Sequence, residues 1–239
     1  MMMASASQHR SLDGELALII ELGLPLMSGI AEGLGDAGAE VIALRDPRLA
    51  GSQDEVDAAL ATALGPDRSP ALVVLSLLGE ATTKLGPLSD TDLATWRAGA
   101  ADPIRVAMRV LTALGARMRP AGRGAILFLA PSLSLVGGVG MVALSTALEG
   151  QRGLMKSIAR QWGSSGVTLN WAAAAPRALS SLFEEADLAA KGDPVPIALG
   201  RRPDARTEIA ALGAWLASPA GRGVTGATLM IDGGEWMVP

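Results

Sequence analysis

Two carboxylates sit where acid–base chemistry would need them. Glu21 follows the apolar run Leu16–Ile20, and Glu80 comes shortly after the apolar run Ala71–Leu77, so each lies just past a candidate strand. Across one cleft they could act as a general acid and general base pair. The competing reading, which we favour, leaves both solvated or bonded to loop N–H groups. Arg45, just past the apolar run Glu40–Leu44, is the cation best placed to answer Glu21, and we expect the two charged groups to pair. Little other chemistry is on offer. The single histidine is His9, in the polar start MMMASASQHR, which argues against imidazole catalysis and imidazole metal sites. There is no cysteine, hence no disulfide, thiolate ligand or thiol nucleophile, and there is no tyrosine. No residue is therefore assigned as catalytic, cofactor-binding or metal-ligating.

The elements that must position these groups can be read from composition and periodicity. With 239 residues, 49% hydrophobic and only 18% charged, the chain can bury a sizeable core in one domain. A net charge of −4 gives no basic surface for nucleic acid. The uncharged stretch Gly124–Leu148 is broken by Pro131, Ser132, Ser134 and the glycines of VGGVG, which suits strand, loop and helix rather than a membrane span. We expect residues 1–11 to form a loose tail, residues 12–239 one domain, and the protein to be soluble and cytoplasmic.

Short apolar runs alternate with helical patterns along the whole chain. Candidate strands are Leu16–Ile20, Glu40–Leu44, Ala71–Leu77, Ala125–Ala130, Val167–Ala172 and Ala227–Ile231. Between them lie a helix opened by Pro25 and closed by Gly38, helices over Asp54–Leu64, Asp92–Met118 and Thr207–Ala217, and a central helix after Met141. That alternation predicts an α/β fold with a single doubly wound parallel sheet. The central helix carries two adjoining apolar stripes: Leu144, Leu148, Met155, Ala159 and Trp162, then Ala143, Ala147, Leu154 and Ile158. So narrow a polar face implies cover on two sides, by the sheet and by something else.

The C-terminal stretch PIALGRRPDARTEIAALGAWLASPAGRGVTGATLMIDGG resembles the C-terminal third of the short-chain dehydrogenase/reductase family. The resemblance rests on Leu199-Gly200-Arg201, Glu208-Ile209-Ala210, Thr225-Gly226 and Asp232-Gly233-Gly234. Gly153-Leu154 through Ala159, then Asn170, is similar to the helix and strand after that family's active site, and the opening is similar to its first strand–helix–strand unit. The resemblance spans residues 12–235 and implies a Rossmann-like fold.

Against that pattern, the functional motifs depart. The dinucleotide loop falls on Ile20–Met27, with Glu21, Pro25 and Met27 at its three glycine positions. Pro25 removes an N–H donor, and Leu26 and Met27 add bulk where phosphate would sit. A carboxylate about 4 Å from a phosphate costs roughly 4 kcal/mol per unit charge at an effective dielectric of about 20, close to a thousandfold in affinity. The family's NNAG segment becomes Ser76-Leu77-Leu78-Gly79, and Arg45 stands where an acidic residue often meets the ribose. Aligned on Gly153-Leu154, Leu144 takes the place of the catalytic Tyr and Leu148 that of the Lys. Pro131 lies at or beside the Ser position, with Ser132 and Ser134 near it, and Pro103 lies near the Asn position.

The expectation is accordingly a catalytically inactive chain that binds no dinucleotide itself. It would support an active short-chain dehydrogenase/reductase paralogue in a heterotetramer, with NAD or NADP held only by that partner. A silent chain beside an active one resembles the arrangement in the hydroxyacyl-CoA dehydrogenase of the benzylsuccinate pathway. The alternative is a stand-alone module binding a small ligand in an open apolar cleft lined by Leu26, Met27, Leu78, Leu144 and Leu148.

Overall fold

Six parallel strands form the sheet, in the order β2-β1-β3-β4-β5-β6. The computed structural model describes residues 11–22, 28–180, 183 and 197–237. The strands are β1 (Leu16–Glu21), β2 (Glu40–Leu44), β3 (Leu72–Ser76), β4 (Gly124–Pro131), β5 (Val167–Ala174) and β6 (Thr228–Ile231). Their continuous apolar runs follow from burial on both faces: β1, β3 and β5 are buried at every position. The chain goes from β1 outward to β2, then back across β1 to β3. That reversal opens a crevice beyond the C-terminal ends of the strands, where ligands of doubly wound sheets bind. Of the tail expected over residues 1–11, residues 1–10 lie outside the described ones.

The helices cover both faces. They are α1 (Ser28–Asp36), α2 (Gln53–Leu64), α3 (Leu93–Trp96), α4 (Asp102–Ala121), α5 (Leu133–Val136), α6 (Val142–Trp162), α7 (Pro176–Leu179) and α8 (Ala210–Ala217). Pro25, expected to open the first helix, lies outside the described residues. α2 starts on a reciprocal cap between Ser52 and Glu55, as the spacing Ser-x-x-Glu dictates. The helical region expected over Asp92–Met118 is interrupted by a wider π turn at Arg97–Ala101, after which Pro103 occupies the first turn of α4. Pro103 lacks the N–H that would have continued the helical bonding at this point, and the wider turn lies directly before it.

α6 packs on β5 and against α4. Leu144, Leu148, Met155, Ala159 and Trp162 are buried as one row, whereas Ala143, Leu154 and Ile158 of the adjoining row are only half-buried. Small residues set the approach of α4. A Cβ on Gly150 would sit 2.3 Å from the end of Ile104, and one on Gly115 would meet the Trp162 ring at 2.6 Å. Asn170, fully buried on β5, donates to the Val224 carbonyl (2.8 Å) and accepts from Ala227 N–H (3.1 Å), fixing the turn that delivers β6. Among the described residues no helix is long and apolar enough to cross a membrane.

Candidate functional site

The crevice beside β1 deepens into a slot of about 480 Å³, within the roughly 300–1,000 Å³ of small-molecule sites. One wall is the chain after β2: Arg45, Asp46, Pro47 and Ala50. The other comes from α4 and the π turn before it: Ala98, Asp102, Pro103 and Val106. Glu21 and Leu22 line it from the end of β1, and Gly79 and Thr82 from the chain after β3. The walls are therefore mostly apolar, with a few polar groups between them.

Most of those polar groups are already engaged. Asp46 caps the short turn Pro47–Ala50, accepting the Arg48 N–H at 2.9 Å and the Arg48 guanidinium at 2.6 Å. The guanidinium bond is the main reason its carboxyl lies below the usual carboxylate range. Asp102 pairs with Arg105 on its own helix. Glu21 is only 3% exposed, and its Oε2 accepts a hydrogen bond from Arg45 Nε. The pairing of Glu21 with Arg45 expected from the sequence is thus formed, between the C-terminal ends of β1 and β2. Two oxygens remain: Glu21 Oε1 and Thr82 Oγ1 are buried and have no protein partner. A buried polar atom left unpaired costs about 1–3 kcal/mol, and neither oxygen opens onto the slot as its side chain stands.

The other candidates separate. Glu80 is exposed at the start of a short 3-10 turn while Glu21 is buried against Arg45, so the acid–base pair is not assembled. Leu144 and Leu148 are 1% and 0% exposed, and Leu78 is equally buried. The open apolar cleft expected around these leucines is filled by their side chains; Leu26 and Met27 lie outside the described residues. Pro131 ends β4, and next to it Ser132 and Ser134 carry buried hydroxyls without a partner. Pro103, placed by the sequence near a catalytic Asn position, lines the slot. Among the described residues no group of three His, Cys, Asp or Glu could hold a metal ion.

Residues 50–235 match the family model described as enoyl-(acyl carrier protein) reductase, a branch of the short-chain alcohol dehydrogenases. The chain belongs to the short-chain dehydrogenase/reductase family. A D-threitol dehydrogenase of Mycolicibacterium smegmatis is 29% identical over 254 residues, covering 93% of this chain and 93% of that protein. A solved structure from Beutenbergia cavernae, provisionally assigned as an NAD(P)-dependent gluconate 5-dehydrogenase with NADP at low occupancy, superposes with a TM-score of 0.77. It is 23% identical and covers 95% of this chain and 98% of its own.

Membership in this short-chain dehydrogenase/reductase group, with a dehydrogenase relative along nearly the whole chain, overturns two expectations: an inactive supporting subunit or redox-free module, and a chain that binds no NAD or NADP itself. The physical reason is visible in the slot. The expected repulsion counted Glu21 at full charge even though its pairing with Arg45 was itself expected, and that pair is formed. A phosphate loop is also only part of a dinucleotide site: the slot is built by the ends of β1, β2 and β3 and by α4. Thr82 and Asp46 were missed. The Asp-Pro-Arg signature of the Asp46 cap was available in the sequence, but a Thr six residues past a strand, in a Thr-Thr pair, carries no signal.

Proposed function

We propose that this chain is an NAD(P)-dependent oxidoreductase acting on an alcohol or carbonyl substrate, with the adenosine half of the dinucleotide in the slot beside β1. The observation that carries the reading is the slot itself: it lies at the reversal of strand order and is walled by apolar groups. Apolar walls suit the faces of a purine. The bound dinucleotide would supply hydride transfer; the chain's residues would hold its nucleoside end and exclude water from it. Any proton transfer falls to a group other than a phenol, since the chain has no tyrosine. The D-threitol dehydrogenase relative favours a small polyol as the first substrate class to try.

Titration of the isolated chain with NADH and NADPH, read by quenching of its tryptophan emission, tests the binding. Saturation at micromolar to sub-millimolar concentrations is expected; no saturation by millimolar cofactor would refute it. Dinucleotide reduction with D-threitol and other short polyols then tests the chemistry. A second chain of the same fold is the partner we propose, as a heterotetramer with an active paralogue. The half-buried Leu154 and Ile158 on α6 and the half-exposed Met108 on α4 support such a covered face. Light scattering of the chain alone, and after co-expression with a paralogue from the same source, would decide it. A chain that stays monomeric in both would refute it.

A further inference from the structure

The flank of α6 beside β6 concentrates positive charge in a chain whose net charge is −4. Two segments meet there, residues 150–180 and 209–231, and neither contains an Asp or Glu although the chain has 24. Their basic residues are Arg152, Lys156, Arg160, Arg177 and Arg222. Between α6 and the turn before β6 lies a hollow of about 470 Å³, lined by Lys156, Ala159, Arg160, Thr225 and Gly226. Its polar side chains all have a proton to give. Lys156 and Arg160 are exposed and make no hydrogen bond or ion pair among the described residues. Thr225 Oγ1 accepts the Leu169 N–H at 3.2 Å, which fixes the hydroxyl and leaves its proton to donate. Arg152, four residues before Lys156, is by contrast already held by Glu149 at 2.9 Å. The needs of α6 do not explain the pair. Like charges four residues apart repel on a helix, and the helix dipole favours Arg160 in the last turn but has faded at Lys156.

We propose that this hollow binds a phosphate-class oxyanion, free or as the ester group of a small metabolite, held by Lys156, Arg160 and Thr225 Oγ1. An ammonium, a guanidinium and a hydroxyl supply donors from three sides to a tetrahedral ligand whose oxygens are chiefly acceptors. No carboxylate lines the hollow to compete for those donors or to repel the ligand. A bound anion bridges α6 and the turn that carries β6, because Thr225 and Gly226 both bond Leu169 on β5, Gly226 N–H donating to its carbonyl at 2.7 Å. The site shares no residue with the slot beside β1, so it stands whether or not a dinucleotide binds there.

The experiment is calorimetric titration of the full chain with inorganic phosphate and with glycerol 3-phosphate, at an ionic strength held constant with sodium chloride. It is repeated on Lys156→Gln, Arg160→Gln and Arg119→Gln. Lys156 and Arg160 are exposed, so these variants should fold, and Arg119, exposed at the end of α4, loses the same charge away from the hollow. The wild type is expected to saturate at millimolar concentrations or below. Lys156→Gln and Arg160→Gln should each weaken binding by about three- to tenfold, and Arg119→Gln by less than about twofold. Phosphate should also slow hydrogen exchange over residues 225–231 of the wild type and not of Arg160→Gln. Equal affinity for the two ligands supports a site for the free anion, and a tighter glycerol 3-phosphate supports one for an ester. No saturation by about 50 mM of either ligand would overturn the proposal, as would equal weakening by all three substitutions, which would reduce the effect to net charge. Binding that Lys156→Gln and Arg160→Gln leave unchanged would overturn it too, by placing the anion elsewhere.

Discussion

Replacing Leu148 by Ala tests whether hydrocarbon at a position typical of catalysis now holds the fold together. Leu148 is 0% exposed and belongs to the same buried cluster as Leu144, Met155 and Phe128. Truncation removes three carbons, worth about 2.4 kcal/mol at about 0.8 kcal/mol per buried methylene. The unfilled space adds about 1–2 kcal/mol, since a well-packed site relaxes only partly. The expected loss is therefore about 3.4–4.4 kcal/mol, or about 7–18 °C in Tm for a domain this size. Urea unfolding followed by tryptophan fluorescence should show a lower midpoint at unchanged slope. Leu154→Ala, on the half-buried row of the same helix, is the internal control and should cost about 1 kcal/mol. A loss below about 1 kcal/mol for Leu148→Ala would refute the reasoning, because it would mean the side chain borders space rather than atoms.

Gly115→Ala should destabilise by up to about 2 kcal/mol in the same urea assay. Overpacking against the buried Trp162 ring costs about 1–3 kcal/mol, and the roughly 1 kcal/mol gained in helix propensity offsets only part of it. Asn170→Ala should cost about 1–3 kcal/mol by leaving the Val224 carbonyl and Ala227 N–H unpaired, and hydrogen exchange should rise first in β6. Glu208 is held down at about 2, chiefly by its hydrogen bond to Arg201. A depressed carboxyl stabilises the fold above its ordinary value of 4.5, and that contribution fades as pH falls through about 2. Arg201→Ala should therefore flatten the stability–pH curve between those limits and leave the curve's shape at pH 7 unchanged; an acid limb identical to wild type would count against the pair.

The strands were legible because burial on both faces leaves uninterrupted apolar runs: Leu16–Ile20 and Glu40–Leu44 became β1 and β2 with at most one residue of change. Short turns of helix such as Pro47–Ala50, Leu133–Val136 and Pro176–Leu179 were not, since they contain too few residues for a period to register. The single break in the long helical region at Arg97–Ala101 escaped for a related reason, because one wider turn barely shifts the pattern. At the site, the attraction between Glu21 and Arg45 could be foreseen from two strand ends that had to be neighbours. The space beside them could not. It is bounded by Pro103, Val106 and Thr82, whose types suggest packing, and only the three-dimensional placement of α4 turns them into walls.

Both margins of the sheet are defended against stray strand pairing. At one side β2 begins with the exposed Glu40, tied to Arg68, so a foreign strand would have to approach past charge. At the other, β6 is four residues long, and the positive φ of Gly233 and Gly234 turns the chain away directly afterwards. Side chains at those two glycines would strain the backbone, so substitutions there should tend to undo the bend and leave a longer free rim of N–H and C=O groups. The few residues after Ile231 thereby act as a built-in stop against fibre growth.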